Sequence, residues 1–211
     1  MRYLLPLLLW LNCQPNEPTP AREVQTLTGL LRYEQRDSVL TAQLTLPDST
    51  GQIPRLGQER MIASPGASGR KFTLEQKRAF APALRYTIPN QGDTVEFTLH
   101  VNTVFIDSLP AVLYRDSTAR FPVAAQGLLE NESLVIAFQP SDGSRNDKRI
   151  LITGPTGSGT ITLPPTTLDD IPEGEYRVYL FKQQLYRDRQ GYLRADIRVE
   201  YVSRATNSIV R

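Results

Sequence analysis

The side chains that most often carry catalysis or bind metals are scarce in this sequence, which has one cysteine and one histidine in 211 residues. A zinc site needs several converging ligands and an intrachain disulfide needs two cysteines, so Cys13 and His100 supply neither. A nucleophile–histidine pair would have to use His100. Residues 93–101 alternate as a strand does, with His100 on the polar face beside Glu96 and Thr98. We therefore predict a solvent-facing histidine rather than a base.

Three short motifs match patterns of chemical sites, and each lacks a required part. Gly154–Thr160 is glycine-rich like a phosphate loop but has no lysine and no following helix. Ser68 and Lys71 have the Ser-x-x-Lys spacing of penicillin-binding enzymes without the companion Lys-Thr-Gly or a helix to hold them. Asp142–Asp147 offers few oxygens for calcium and includes an arginine. We interpret all three as loops, and predict no catalytic residue, no metal and no cofactor.

The charge pattern gives no reason to expect a nucleic-acid partner. The chain has 24 basic and 22 acidic residues, a formal net charge of +2, and the two signs alternate along its length. Without a basic run or stripe there is no electrostatic footprint for a phosphate backbone. We predict an ordinary mixed, solvated surface.

The N-terminus has the features of an export signal. Arg2 is followed by the short apolar run Leu4–Leu11, too short to span a bilayer, and then by Cys13. This arrangement resembles the signal peptides of bacterial lipoproteins, in which a cysteine at the end of the apolar segment becomes the lipid-modified first residue. The chain has Trp10 and Asn12 where that family favours leucine and a small residue.

The resemblance implies a signal peptide at residues 1–12, a lipid on Cys13 and attachment to a membrane. The family's diacylglyceryl group supplies the two chains that firm anchoring requires. Residues 13–22 contain three prolines before Ala21 and no apolar side chain from Gln14 to Pro20, so they predict an extended tether. The expected location is the outer membrane or cell surface, with a periplasm-facing orientation as the alternative.

The remaining sequence predicts an all-β protein. Period-two alternation and β-branched or aromatic runs recur between turn residues, whereas no long segment keeps a helical apolar face. Residues 72–83 come closest to a helix, and a short helix or turn is the alternative there. We predict two β-sandwich modules, at residues 23–110 and 111–211. The strand-like segments are residues 27–33, 38–46, 60–63, 71–74, 84–88, 94–101, 132–138, 148–153, 160–163, 175–181 and 193–202.

One of these segments carries a more specific resemblance. Ile171-Pro172-Glu173-Gly174-Glu175-Tyr176 is similar to the turn and strand of immunoglobulin-like and fibronectin-like domains, where Gly-x-Tyr opens the penultimate strand. The resemblance implies that the Tyr176 hydroxyl bonds upstream backbone and that Gly174 permits the turn. This role is structural and indicates no ligand.

An aromatic cluster near the C-terminus is the candidate binding surface. It consists of Tyr179, Phe181, Tyr186 and Tyr192, with basic residues between them. Exposed aromatic side chains on a sheet stack on sugars or anchor a protein partner. The alternative is that they fill the interior or an interface between modules.

We therefore expect a non-enzymatic, lipid-anchored binding or structural module of the cell envelope, with an unknown protein or glycan as ligand. One alternative is a carbohydrate-active enzyme or glycan-binding protein whose site assembles only in three dimensions. Two carboxyl groups facing a groove would favour the enzyme. Another alternative is a subunit of a larger envelope complex that pairs through an exposed strand edge.

Overall fold

The computed structural model describes residues 23–46, 53–66, 69–90, 93–143 and 146–211. The predicted signal peptide, Cys13, the tether and Ser68 lie outside these residues. The elements in chain order are β1 Gln25–Glu34, β2 Val39–Leu46, β3 Arg55–Leu56, β4 Glu59–Arg60, β5 Ile62–Gly66, β6 Gly69–Lys77, β7 Ala83–Asn90, β8 Asp93–His100, β9 Val112–Leu113, β10 Ala119–Pro122, β11 Glu132–Pro140, β12 Lys148–Thr153, β13 Thr160–Leu163, α1 Pro165–Leu168, β14 Gly174–Gln190, β15 Leu193–Val202 and β16 Thr206–Val210.

The protein is all-β, as the alternation predicts. The main sheet has ten strands, in the order β12-β11-β14-β15-β1-β2-β6-β5, and β16 and β9 extend it beside the first half of β14. A short helix or turn is the alternative prediction for residues 72–83. Residues 72–77 of this segment instead belong to strand β6. The described residues contain one helix, the single turn α1, which starts at a Pro-Pro step.

Two smaller sheets cover one face of the main sheet in a sandwich-like arrangement. One has the order β4-β3-β7-β8 and the other pairs β10 with β13. Leu40, Ala42, Leu44 and Leu46 of β2 are buried as one face. They belong to a single apolar cluster that also contains side chains of both smaller sheets, such as Phe97 of β8. Burial of this apolar surface is the dominant favourable term in folding.

Strand β14 joins the two halves of the main sheet. Its first part pairs with β11 and β16, and its second part forms a long hairpin with β15. Strand β15 then lies parallel to β1 over its full length, from Gln25 opposite Leu193 to Glu34 opposite Val202. Residues near the end of the chain are therefore hydrogen-bonded to residues near the start of its described part. The module boundary at residues 110–111 stays a prediction.

The hydrogen bond expected of Tyr176 is present. Its hydroxyl donates to the Pro172 carbonyl at 2.7 Å, and the ring lies edge-on to Phe138 in the core. Gly174, two residues earlier, has φ 152°, a backbone conformation that a residue with a Cβ rarely adopts. The glycine and the tyrosine thus fix the entry of the chain into β14.

Tyr86 differs from Tyr176 in the hydrogen bonding of its hydroxyl, and this difference gives a testable prediction. Both rings are buried, but the Tyr86 hydroxyl has no hydrogen-bond partner within the described part of the chain. Because an unpaired buried hydroxyl costs about 1–3 kcal/mol, we expect Tyr86→Phe to stabilise the protein by about 1 kcal/mol in urea unfolding. Tyr176→Phe should destabilise it by a similar amount. If both variants lose stability equally, the Tyr86 hydroxyl has an acceptor and the prediction is wrong.

Candidate functional site

The structure separates the four aromatic residues of the predicted binding surface into two pairs. Tyr179 and Phe181 lie on the outer face of the main sheet, edge-to-face with ring centroids 5.1 Å apart. Tyr186 and Tyr192 are half-buried and pack against the apolar core. The division follows from strand geometry, because Tyr179 and Phe181 have the opposite parity to Tyr186 in β14. A role for these residues in binding stays a prediction.

Burial and a neighbouring acid explain the environment of Tyr186. Burial is the larger cause that raises the pKa of its hydroxyl to about 12, and the hydrogen bond to Asp188 at 3.0 Å adds to it. The hydroxyl of Tyr179 similarly donates to Asp147 at 3.3 Å. His100 is exposed on the outer side of β8, as expected. None of these groups is arranged as a nucleophile and base.

A cavity lies elsewhere, where the two halves of the protein meet. We call it the junction cleft. It has a volume of about 360 Å³, within the range typical of small-molecule sites. Its lining comes from the segment before β7, the segment after β8, the loop before β11 and the middle of β14. The lining residues are Phe80, Pro82, Val101, Asn102, Thr103, Phe105, Ala124, Ala125, Gln126, Gly127, Leu129, Glu132 and Lys182.

Backbone hydrogen bonds hold the walls of the cleft in place. Val101 N–H donates to the Pro82 carbonyl and Phe105 N–H donates to the Val123 carbonyl, each at 2.8 Å. Phe80 is edge-on to two core tyrosines, with ring centroids 5.2 and 5.5 Å away. Two apolar side chains remain open to solvent at the rim, Phe105 at 41% and Leu129 at 52% of their full exposure. The walls are therefore fixed and partly apolar.

The glycine-rich loop supports one of these walls. Gly159 C=O accepts hydrogen bonds from the N–H groups of Val123 and Ala124, and Thr156 N–H donates to the Leu128 carbonyl. A Cβ on Gly127 or Gly159 would overlap backbone atoms of the opposite loop. Strand β13 follows the loop, as the sequence predicts. Gly154 and Gly159 of this loop allow close backbone contact with the cleft wall.

The floor of the cleft is a buried ion pair. Lys182 Nζ lies 3.0 Å from Glu132 Oε2, and the two residues are 6% and 3% exposed. Glu132 also accepts hydrogen bonds from the Leu129 N–H and from Asn102 Nδ2, each at 2.9 Å. The carboxylate thus ties the rim residue Leu129 and the β8–β9 segment to the centre of β14.

The electrostatics of the floor favour a charged carboxylate. Burial by itself raises the pKa of Glu132, but the hydrogen bonds from Leu129 and Asn102 and the ammonium of Lys182 outweigh it and lower that pKa. Glu132 is the one polar partner of Lys182 Nζ within the described residues. An ammonium has three N–H donors. Two of its donors therefore have no acceptor among the described residues, and Lys182 is part of the cleft lining.

A second cavity, of about 400 Å³, lies at the start of β14 and is lined by acidic residues, among them Asp142, Glu173 and Glu175. The described residues contain no group of three or more His, Cys, Asp or Glu side chains placed to hold a metal ion. Among its described lining residues the buried polar side chain is Tyr176, whose hydroxyl already donates to the Pro172 carbonyl.

Sequence reasoning missed the junction cleft. Lys182 and Glu132 lie 50 positions apart in sequence, and their alternation in β14 and β11 places both on the inner face. The one available signal was a lysine and a glutamate at positions where the strand pattern requires buried side chains. Comparison of the chain with models of protein families gives no match, and comparison with curated proteins gives none either. No helix among the described residues is long and apolar enough to cross a bilayer.

Proposed function

We propose that the protein is a non-enzymatic binding module of the cell envelope, held to a membrane by a lipid on Cys13, and that the junction cleft is its ligand site. The observation that carries the binding role is the buried Lys182–Glu132 pair at the floor of a preformed cleft. Such a combination of apolar walls and a few convergent polar groups is typical of ligand sites between structural units. The anchoring rests on the sequence resemblance described above.

The cleft supports binding better than catalysis. Glu132 is the single carboxylate among its lining residues, whereas glycoside hydrolysis commonly uses two. The carboxylate is also held charged by three partners, and its lowered pKa makes it a poor proton donor at neutral pH. A carbohydrate-active enzyme is therefore the weaker alternative for this cleft.

The free edge of the main sheet gives limited support to the alternative that the protein is a subunit of a larger envelope complex. Strand β12 ends the sheet, and its Leu151 is 62% exposed. The same strand begins with Lys148 and Arg149, both exposed. Charged residues of this kind protect natural edge strands from pairing with other chains. The edge strand therefore supports pairing with another chain less strongly than the cleft supports ligand binding.

We also propose that residues 111–211 form an immunoglobulin-like module and that its β14–β15 hairpin extends into the first half of the protein, beside β1. The supporting observations are the arrangement β12-β11-β14-β16-β9 facing β10-β13 and the Tyr176 hydrogen bond. The first half, with β5, β6, β2 and β1 facing the β4-β3-β7-β8 sheet, is proposed as the second β-sandwich module. Such frames present loops and clefts in fixed positions.

Replacement of Cys13 tests the anchor. We expect Cys13→Ser to move the protein from the membrane to the soluble fraction, because the serine oxygen does not receive the thioether-linked lipid. Intact mass of the wild-type protein should show a chain starting at Cys13 with added acyl mass. Thr19→Ser, a matched change in the tether, should leave fractionation unaltered. An unprocessed chain starting at Met1 would exclude the lipoprotein hypothesis.

Fragment binding followed by nuclear magnetic resonance tests the cleft. The full-length protein is titrated with cyclohexanol, phenol and glycerol as small mixed-polarity molecules. We expect amide shift changes to concentrate at Phe105, Leu129 and Lys182. Changes confined to the acid-lined pocket at Glu173, or spread without preference, would contradict the assignment of the cleft as the ligand site.

A further inference from the structure

We propose that the junction cleft binds a neutral saccharide unit, with Lys182 and Glu132 at the hydroxyl groups and Phe105 against a face of the ring. This inference rests on the proposed function and names the class of ligand. It follows from three features of the cleft: the net charge of its floor, the mixture of donors and acceptors there, and the apolar rim.

The floor favours a neutral ligand. The Lys182 ammonium and the Glu132 carboxylate compensate each other at 3.0 Å, and both are almost fully buried. The other polar lining side chains, Asn102, Thr103 and Gln126, are uncharged. A charged ligand group at this depth would lose its hydration without gaining an unpaired opposite charge. The matching ligand is polar and uncharged.

The floor also favours hydroxyl groups. Lys182 keeps two N–H donors, and a carboxylate accepts about four hydrogen bonds in total. Glu132 uses acceptor sites for Lys182, Leu129 N–H and Asn102, which leaves capacity for one more. A hydroxyl group both donates and accepts, so neighbouring hydroxyl groups fit beside this ion pair. An ether oxygen only accepts, and an amide divides its donor and its acceptor between two atoms.

The rim supplies the apolar half of the recognition. Phe105 and Leu129 are exposed at the mouth, and Pro82 and Ala125 extend the same surface. Aromatic rings such as Phe105 bury large apolar area against flat C–H surfaces. A sugar ring has hydroxyl groups around its edge and C–H groups on its faces. The volume of about 360 Å³ and the open mouth leave a longer chain room to extend outward.

Saccharide titration tests the proposal. The full-length protein is titrated with maltose, N,N′-diacetylchitobiose and a hexuronic-acid disaccharide, and amide shifts are followed. We expect at least one neutral disaccharide to shift Phe105, Leu129 and Lys182, and the uronic-acid probe to bind more weakly. Phe105→Ala should weaken neutral binding about tenfold through loss of stacking. The exposed outer-face change Leu151→Ala is the matched control and should leave binding unchanged.

Three results would contradict the saccharide proposal in different ways. If cyclohexanol or phenol binds in the cleft while both neutral disaccharides leave its amides unshifted, the ligand class is wrong and the cleft remains a binding site. If neither fragments nor saccharides shift the cleft, the proposed function fails as well. Tighter binding of the uronic-acid probe than of the neutral disaccharides would contradict the inference that the compensating charges of Lys182 and Glu132 favour a neutral ligand.

Discussion

Lys182→Met is expected to lower the free energy of unfolding by about 3–5 kcal/mol, because it leaves the buried carboxylate of Glu132 without its counter-charge. Methionine has a similar length and is apolar, so loss of packing contributes little to the effect. Urea unfolding at neutral pH measures the change. A loss below about 1 kcal/mol would mean that the pair is solvated and the floor of the cleft is open to water.

Two further variants identify the ion pair as the cause. In Glu132→Gln/Lys182→Met the amide oxygen still accepts from Leu129 N–H and no charge is buried, so we expect recovery of part of the loss. Lys77→Met removes an exposed lysine of β6 and should change stability by less than about 0.5 kcal/mol. A double variant less stable than the single one would contradict the explanation by unpaired charge.

The same pair predicts a distinct pH dependence. Folding lowers the pKa of Glu132. The stabilisation that its carboxylate gives the folded protein is therefore complete above the ordinary glutamate pKa of about 4.3, and it is lost as the pH falls through the lower pKa of the folded state. In Lys182→Met the ammonium no longer lowers that pKa, so the pKa of Glu132 lies above its wild-type value. The difference in free energy of unfolding between wild type and variant should therefore become smaller as the pH is lowered from neutral to about pH 4. An equal difference in the free energy of unfolding at both pH values would contradict the dependence of the Glu132 pKa on Lys182.

Gly159→Ala is expected to destabilise the protein by about 3 kcal/mol or more, because its methyl group would overlap the Ala124 carbonyl and approach that of Gln126. Both obstacles are backbone, so no side-chain rotation relieves them. The loop at residues 124–129 must move, and with it one wall of the junction cleft. Urea unfolding and the saccharide titration should both report the change.

Gly157 provides the matched control in the same loop. A Cβ there would meet no atom within 4 Å, and its backbone is outside the left-handed region. Gly157→Ala should be neutral or stabilise by about 0.4–1 kcal/mol through reduced freedom of the unfolded chain. Equal destabilisation by Gly157→Ala and Gly159→Ala would show that loop flexibility, rather than close backbone contact, is what the glycines provide.

Local patterns predicted the other strands but not β3, β9, β10, β16 or the second half of β14. They succeeded where alternation records which face of a strand is buried. In β15, Leu193, Ala195 and Ile197 are buried as predicted. Glu200 follows the outward face of that strand but is only 2% exposed, because Arg32 and Gln183 from neighbouring strands bond its carboxylate. A pattern within one strand contains no information about side chains that cover it from other strands.

By itself, the sequence determined the all-β class, the faces of most strands, the Tyr176 hydrogen bond and the exposed position of His100. These depend on residues close together in the chain. The tertiary structure alone decided the parallel pairing of β1 with β15 and the meeting of Glu132 with Lys182. Both join residues far apart in sequence, and such contacts depend on how whole sheets pack, which local alternation does not encode.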